Sequence, residues 1–203
     1  PEQNAPVITR FRLNYPPPSP STVTTPGTLA VMPFRVDATY ARSSIVFTDG
    51  TRAGYYLNDQ WIAPPEQLLT DAFQRDLSRW SFFEAVTQGG MLLRPAYTLG
   101  GTVTAFGEER RETNAMARAS VTITLTARSR RGGDRVLLQD GYTARVPCPT
   151  NHPSSLVTSL STAVRAISRE VRDDIAKIVR AQCAETNASA RSRAALPGAH
   201  HNM

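Results

Sequence analysis

Between residues 115 and 130 hydrophobic and polar side chains alternate. Ala117, Ala119, Val121, Ile123, Leu125 and Ala127 interleave with Arg118, Ser120, Thr122, Thr124, Thr126 and Arg128. A period of two places the first set on one face of a strand and the second on the other. Val121, Ile123 and Leu125 are therefore predicted to be buried, with Thr122 and Thr124 exposed or at an interface. Residues 97–108 and 135–146 also read as strands, the latter entered through Gly132-Gly133-Asp134, so the three predict an antiparallel meander. From residue 154 to 184 the period changes. Leu156, Leu160, Val164, Ile167, Val171, Ile175 and Ile178 recur every three or four residues, the stripe of an amphipathic helix. A weaker second row holds Val157, Ala163, Ala166, Ala176 and Val179. The stripe suits packing on a sheet, and its repeat also fits a partner helix in a coiled coil.

The first half of the chain is more broken. Residues 7–15 predict a short strand, and Pro16-Pro17-Pro18-Ser19-Pro20 predicts a stiff extended segment, more suited to a rigid loop within the fold than to a spacer outside it. Residues 28–36 read as a buried strand interrupted at Pro33, and residues 82–87 as another short strand. Between them lies a hairpin, residues 45–48 and 53–57, turned at Asp49-Gly50. It leads through Trp61 to Pro64-Pro65, which open a helix because the first helical N–H needs no partner. Leu68, Leu69, Ala72, Phe73 and Leu77 form one face of that helix, away from Gln67, Asp71, Gln74 and Arg75. Two helices on one face of a sheet predict an α+β fold: an antiparallel sheet in a two-layer sandwich. Residues 1–185 form a single domain, and the small, polar, aperiodic residues 186–203 are expected to be a disordered tail.

Three blocks carry a family resemblance. Tyr55-Tyr56, then Trp61-x-x-Pro64-Pro65-x-x-Leu68-Leu69, resembles the ABC-type transport auxiliary lipoprotein family, which includes the lipoprotein subunit of the paraquat-inducible lipid-transport system. The strand Tyr97-Thr-Leu-Gly-Gly-Thr-Val-Thr-Ala-Phe106 and the long C-terminal helix fit the same family, in the same order, so that the likeness covers residues 9–184. The resemblance implies a non-enzymatic accessory protein for lipid traffic between membranes, held in the periplasm at the outer membrane by a lipidated cysteine upstream of Pro1. It implies a partner with a mammalian-cell-entry (MCE) domain, which the lipoprotein would dock.

Composition leaves that expectation in place. The 203 residues, 40% hydrophobic and 20% charged, suit one globular domain with a sizeable core. No apolar run approaches the ~20 residues that span a bilayer. The net charge is +6, and Lys177 is the only lysine. Arginine forks suit phosphate, but a GC-rich genome accounts for the same bias, and no basic stripe with interleaved aromatics signals nucleic-acid binding. Catalytic chemistry is sparse. His200 and His201 lie near the end of the chain; His152, before Pro153, suits a structural or solvent-exposed role. No Cys/His cluster has zinc spacing, no cofactor motif is present, and Gly100-Gly101 lies inside a strand, where it suits the close approach of another element. Glu108 and Glu109, adjacent on a strand, face opposite ways; Asp173 and Asp174 read as a solvated helix flank. Cys148 and Cys183 are expected to stay unpaired within one chain. The intervening helix is about 42 Å long, the loop before it reaches at most roughly 25 Å, and a disulfide needs Cα atoms within about 7 Å.

The residues expected to contact the partner are Tyr55, Tyr56, Trp61, Pro64 and Pro65, since aromatics are enriched at contact surfaces and proline lowers the ordering cost. Filling the core beneath the first helix is the other reading, at least as good for Tyr56 and Trp61. A second function class stays open: a stand-alone periplasmic lipid- or small-molecule-binding module with an apolar pocket between helices and sheet. Self-association into a homo-oligomer is also open.

Overall fold

The computed structural model describes residues 7–90, 94–110, 115–129, 133–150 and 152–194, with side chains up to Ala184. In chain order the elements are β1 (Thr9–Phe11), β2 (Thr25–Val31), β3 (Arg35–Val36), a 3-10 turn (Ala38–Tyr40), β4 (Ser44–Asp49) and β5 (Arg52–Trp61). They continue with α1 (Pro65–Trp80), β6 (Phe83–Gln88), β7 (Tyr97–Arg110), β8 (Ala115–Arg128), β9 (Asp134–Pro147) and α2 (Pro153–Ala194). All nine strands belong to one curled sheet shaped as a half-barrel.

The centre of the sheet is β7. Along one edge it pairs antiparallel with β8 over its whole length, Tyr97 opposite Ala127 and Arg110 opposite Ala115. β8 pairs in turn with β9, which is the expected meander. Along its other edge β7 takes three partners in succession, all parallel. Tyr97–Leu99 meets β2, Thr102 and Val103 meet β3, and Gly107–Arg110 meets β4. β6 adds to β2, and β1 to β5, again parallel. The sheet is therefore mixed and curled, which corrects the expected antiparallel two-layer sandwich. The physical reason lies in β2 and β4. Leu29, Ala30 and Val31 are buried consecutively, as are Ile45 and Val46. Strands covered on both faces lose the alternation that marks a half-wet antiparallel strand. Gly101 shows how tightly the layers meet: a Cβ there would stand 2.7 Å from the Phe34 ring. The expected close approach falls on Gly101, whereas a Cβ on Gly100 would meet open space.

The two helices share one core beneath the sheet. α1 packs over β6, β2, β3 and β7, and α2 over β8 and β9. Pro65 occupies the first turn of α1, and Ser81 closes the helix in the left-handed conformation (φ 55°). In β8 the alternation holds. Ala117, Ala119, Val121, Ile123, Leu125 and Ala127 are all buried, while Thr122, Thr124 and Thr126 are half-buried rather than bare. Ser120, on the polar face, is buried too, sharing a 2.7 Å hydrogen bond with Thr143. On α2 the stripe runs as expected through Ile175 and then moves from Ile178, half-buried, to Val179, fully buried. A repeat of 3.6 drifts against strict three-and-four spacing over so many turns. The helix runs on to Ala194 rather than ending at Ala184, so the boundary drawn at residue 185 falls inside it; residues 195–203 lie outside the described residues. β1 covers only part of the strand expected at residues 7–15, and Pro33 does separate β2 from β3. No described helix is long and apolar enough to cross a membrane.

Candidate functional site

The β4–β5 hairpin and the start of α1 form the corner in which the contact residues were sought. β4 and β5 pair from Asp49–Arg52 back to Val46–Tyr55, with Gly50 (φ 57°) in the turn. Beyond that the register slips: Ser44 faces Gln60, so the middle of β5 carries extra residues. Such a bulge re-aims side chains. On its far side Trp61 points inward, 1% exposed, its ring 5.0 Å from that of Phe106. At its near end Tyr55 is 49% exposed, and within it Leu57 is 76% exposed.

The five expected residues therefore separate. Trp61 and Pro65 are buried, Pro64 is half-buried as the residue preceding α1, and Tyr55 stands at the surface with the Arg42 guanidinium 5.1 Å from its ring centre. Tyr56 is half-buried on the opposite side of the strand, where its hydroxyl donates to Glu108 Oε2 at 2.6 Å. Arg110 closes this cluster. Its Nε donates to the same Glu108 oxygen at 3.0 Å, and its guanidinium lies 3.6 Å over the Phe47 ring. Burial, and then the bond to Glu108, hold the Tyr56 phenol above the usual tyrosine range. Glu108 is thus a buried carboxyl group with two donors in place. Glu109 pairs instead with Arg145 at 2.9 Å.

Sequence reasoning missed the apolar neighbours of Tyr55. β1 is the sheet's outermost strand on this side, and its ladder sets Thr9 beside Asp59 and Phe11 beside Trp61. Val7 and Ile8 lie just before that ladder begins. Val7, Ile8, Tyr55, Leu57 and Ile62 are all exposed, and together they account for most of the large exposed apolar side chains among the described residues. Single exposed hydrophobics are ordinary, whereas a concentrated set marks a contact surface. The available signal was the pair Ile62 and Leu57 flanking Trp61 out of phase with any one face.

The second omission is Asp76. It lies in the apolar stripe of α1, seven residues after Leu69 and four before Trp80, and is 1% exposed. Tyr15 Oη and Ser168 Oγ donate to its Oδ2 at 2.9 and 2.7 Å, and Arg75 donates twice to its Oδ1 at 3.0 and 2.8 Å. This network ties the Pro-rich segment, α1 and α2 together. A carboxylate within an apolar stripe was its legible sign. Elsewhere, Asp174 accepts from Tyr142 and Lys177, and His152 Nδ1 lies 2.8 Å from Ser154 Oγ at the exposed start of α2. Cys148 and Cys183 are both free. The first sits by Ser159 and Ala117, the second by Tyr97, so most of the length of β8 separates them. No group of three or more metal-ligating side chains converges among the described residues.

A family model described as the ABC-type transport auxiliary lipoprotein component matches residues 11–172. The chain belongs to that family. The match spans every strand except the start of β1, together with α1 and the first half of α2. Solved structures agree in fold. A Xanthomonas campestris protein assigned to DUF330 superposes with a TM-score of 0.73 at 16% identity, over 87% of this chain and 99% of that one. A hypothetical protein of Chlamydia trachomatis gives 0.58 at 12% identity, over 77% and 99%. No curated protein matches the sequence. As an auxiliary lipoprotein component of ABC transport, the chain has a place in the cell envelope and an association with a transport system.

Proposed function

We propose that this auxiliary lipoprotein is a non-catalytic docking subunit of an MCE-type intermembrane lipid transporter, holding the transporter at the outer membrane from the periplasm. The observation that carries the reading is the exposure of five large apolar side chains around the β1–β5 edge: Tyr55 and Leu57 on β5, Val7 and Ile8 just before β1, and Ile62 just after β5. Among the described residues no strand pairs with the outer edge of β1, so exposed apolar side chains stand beside an unpaired strand, the two elements of strand-addition contacts. The partner is an MCE-domain protein. Of the five residues first assigned to this contact, Tyr55 remains central and Pro64 and Tyr56 flank it, while Trp61 and Pro65 support it from the core.

The alternative, a lipid carrier, needs an apolar cavity between helices and sheet. That layer is filled: Leu69, Phe73, Leu99, Ile123, Leu160 and Ile167 are each at most 1% exposed. Packing of this kind supports docking over carriage. The test is site-specific photo-crosslinking in the native envelope with the probe at position 57 or at position 136. An adduct with an MCE-domain protein from position 57 alone is expected. Equal adducts from both positions, or none with such a protein, would overturn the reading.

A further inference from the structure

A groove of about 600 Å³ lies between the Pro-rich segment and α2. Pro16, Pro17 and Pro18 form one wall; Arg165, Arg169 and Arg172 of α2 form the other, with Asp76 at the floor. The wall is fixed at both ends. The Asn14 amide donates to Ser161 Oγ at 3.1 Å, and the Ser21 amide to the Trp80 carbonyl at 2.6 Å. A polyproline wall pre-set in this way costs little ordering on binding.

The charges do not balance. Residues spaced i, i+4 and i+7 stand on one flank of a helix as neighbours, and like charges there repel. No hydrogen bond or ion pair joins the side chains of Arg165, Arg169 or Arg172 to any described residue; Arg172 only lies 5.8 Å from the Trp80 ring centre. Its Nε is buried without an acceptor. Asp76 and Asp173 are the acidic groups whose charge reaches it. Asp76 already takes its hydrogen bonds from Arg75, Tyr15 and Ser168, so it neutralises Arg75 first. A buried donor without an acceptor is costly. Two exposed guanidiniums and one half-buried one thus converge on a preformed cleft of ordinary ligand size, with nothing among the described residues to receive their forks.

We propose that this groove binds a phosphate-type oxyanion. Guanidinium forks match phosphate oxygens bidentately: Arg172 supplies the desolvated donor, while Arg165 and Arg169 clamp from the open side. A phospholipid headgroup and free phosphate share this chemistry. The proposal is independent of the docking reading, because it concerns the isolated chain and a different set of residues.

The experiment is calorimetric titration of the purified chain with sodium phosphate and, separately, with glycerophosphoglycerol, the water-soluble headgroup of phosphatidylglycerol, at constant ionic strength. Saturable binding of at least one is expected. Tighter binding of the diester assigns the site to a lipid headgroup; tighter binding of phosphate assigns it to the free ion. The Arg169→Gln/Arg172→Gln variant should bind at least tenfold more weakly. Because Arg172 touches Trp80, the exposed pair Arg165→Gln/Arg169→Gln serves as a second variant. It should keep its melting temperature and still lose at least threefold. Absence of saturation with both ligands, or unchanged affinity in the folded exposed-pair variant, would overturn the proposal.

Discussion

Two residues four positions apart on β5 have opposite fates. Trp61 is 1% exposed and packs on Phe106; Leu57 is 76% exposed, two residues before the first rung of the β1–β5 ladder. Leu57 lies within the register slip that separates the Tyr55 and Gln60 pairs, and Trp61 lies beyond it. Aromatic density alone cannot distinguish core from contact surface, because both use the same side chains. Position relative to a bulge does. It divides the hairpin corner into a part that holds the fold and a part free to bind, and the two should fail differently when altered.

The largest effect is expected at the core end. Trp61→Ala should cost about 3–5 kcal/mol of unfolding free energy, read by urea titration, and should weaken partner binding only through loss of folded protein. A cost below about 1 kcal/mol would show that the ring is not the support it is taken to be. Alkaline titration tests the buried hydroxyls collectively. Burial first, and then neighbouring carboxylates, raise the phenols of Tyr15 and Tyr142, as they do that of Tyr56. Above about pH 10 the unfolded tyrosines ionise while the native ones stay protonated. The folded state then binds more protons, and stability falls with rising pH. Their contribution is fully present below about pH 10 and is lost as pH climbs through the raised folded values. Melting temperatures measured from pH 8 upward should decline more steeply in the wild type than in Tyr15→Phe. Next in size is Asp76→Asn. Removing the charge that receives Arg75, Tyr15 and Ser168 should cost about 1–3 kcal/mol without changing the strip at β5. Smallest in stability is the strip itself, where Tyr55→Ala and Leu57→Asp should each shift unfolding by less than about 0.5 kcal/mol.

The sequence shows some of this arrangement and hides the rest for physical reasons. β8 and α2 are long, each follows one period, and each buries one face, so their registers were readable residue by residue. Thr122 and Thr124 are covered more than alternation suggested because the sheet curls. Pairing of β2, β3 and β4 with β7 was not readable. A parallel ladder has no turn to announce it, and strands covered on both faces do not alternate. Of the residues proposed for contact, Tyr55 stands at the surface, whereas Pro65 is buried and Trp61 takes the core position that was its equal reading. Leu57 and Ile62 were passed over because local hydrophobicity reads as burial until the bulge is known. Asp76 could have been found as the one carboxylate within the α1 stripe.

The central claim is that the exposed end of β5 binds an MCE-domain partner while the buried end only supports it. The most direct measurement is the affinity of the purified Leu57→Asp variant for that partner, by biolayer interferometry, beside its unfolding curve. A charge placed at the centre of an apolar contact should weaken binding by about 2 kcal/mol or more, roughly thirtyfold, with the unfolding midpoint unchanged. Wild-type affinity in a fully folded Leu57→Asp protein would contradict the account.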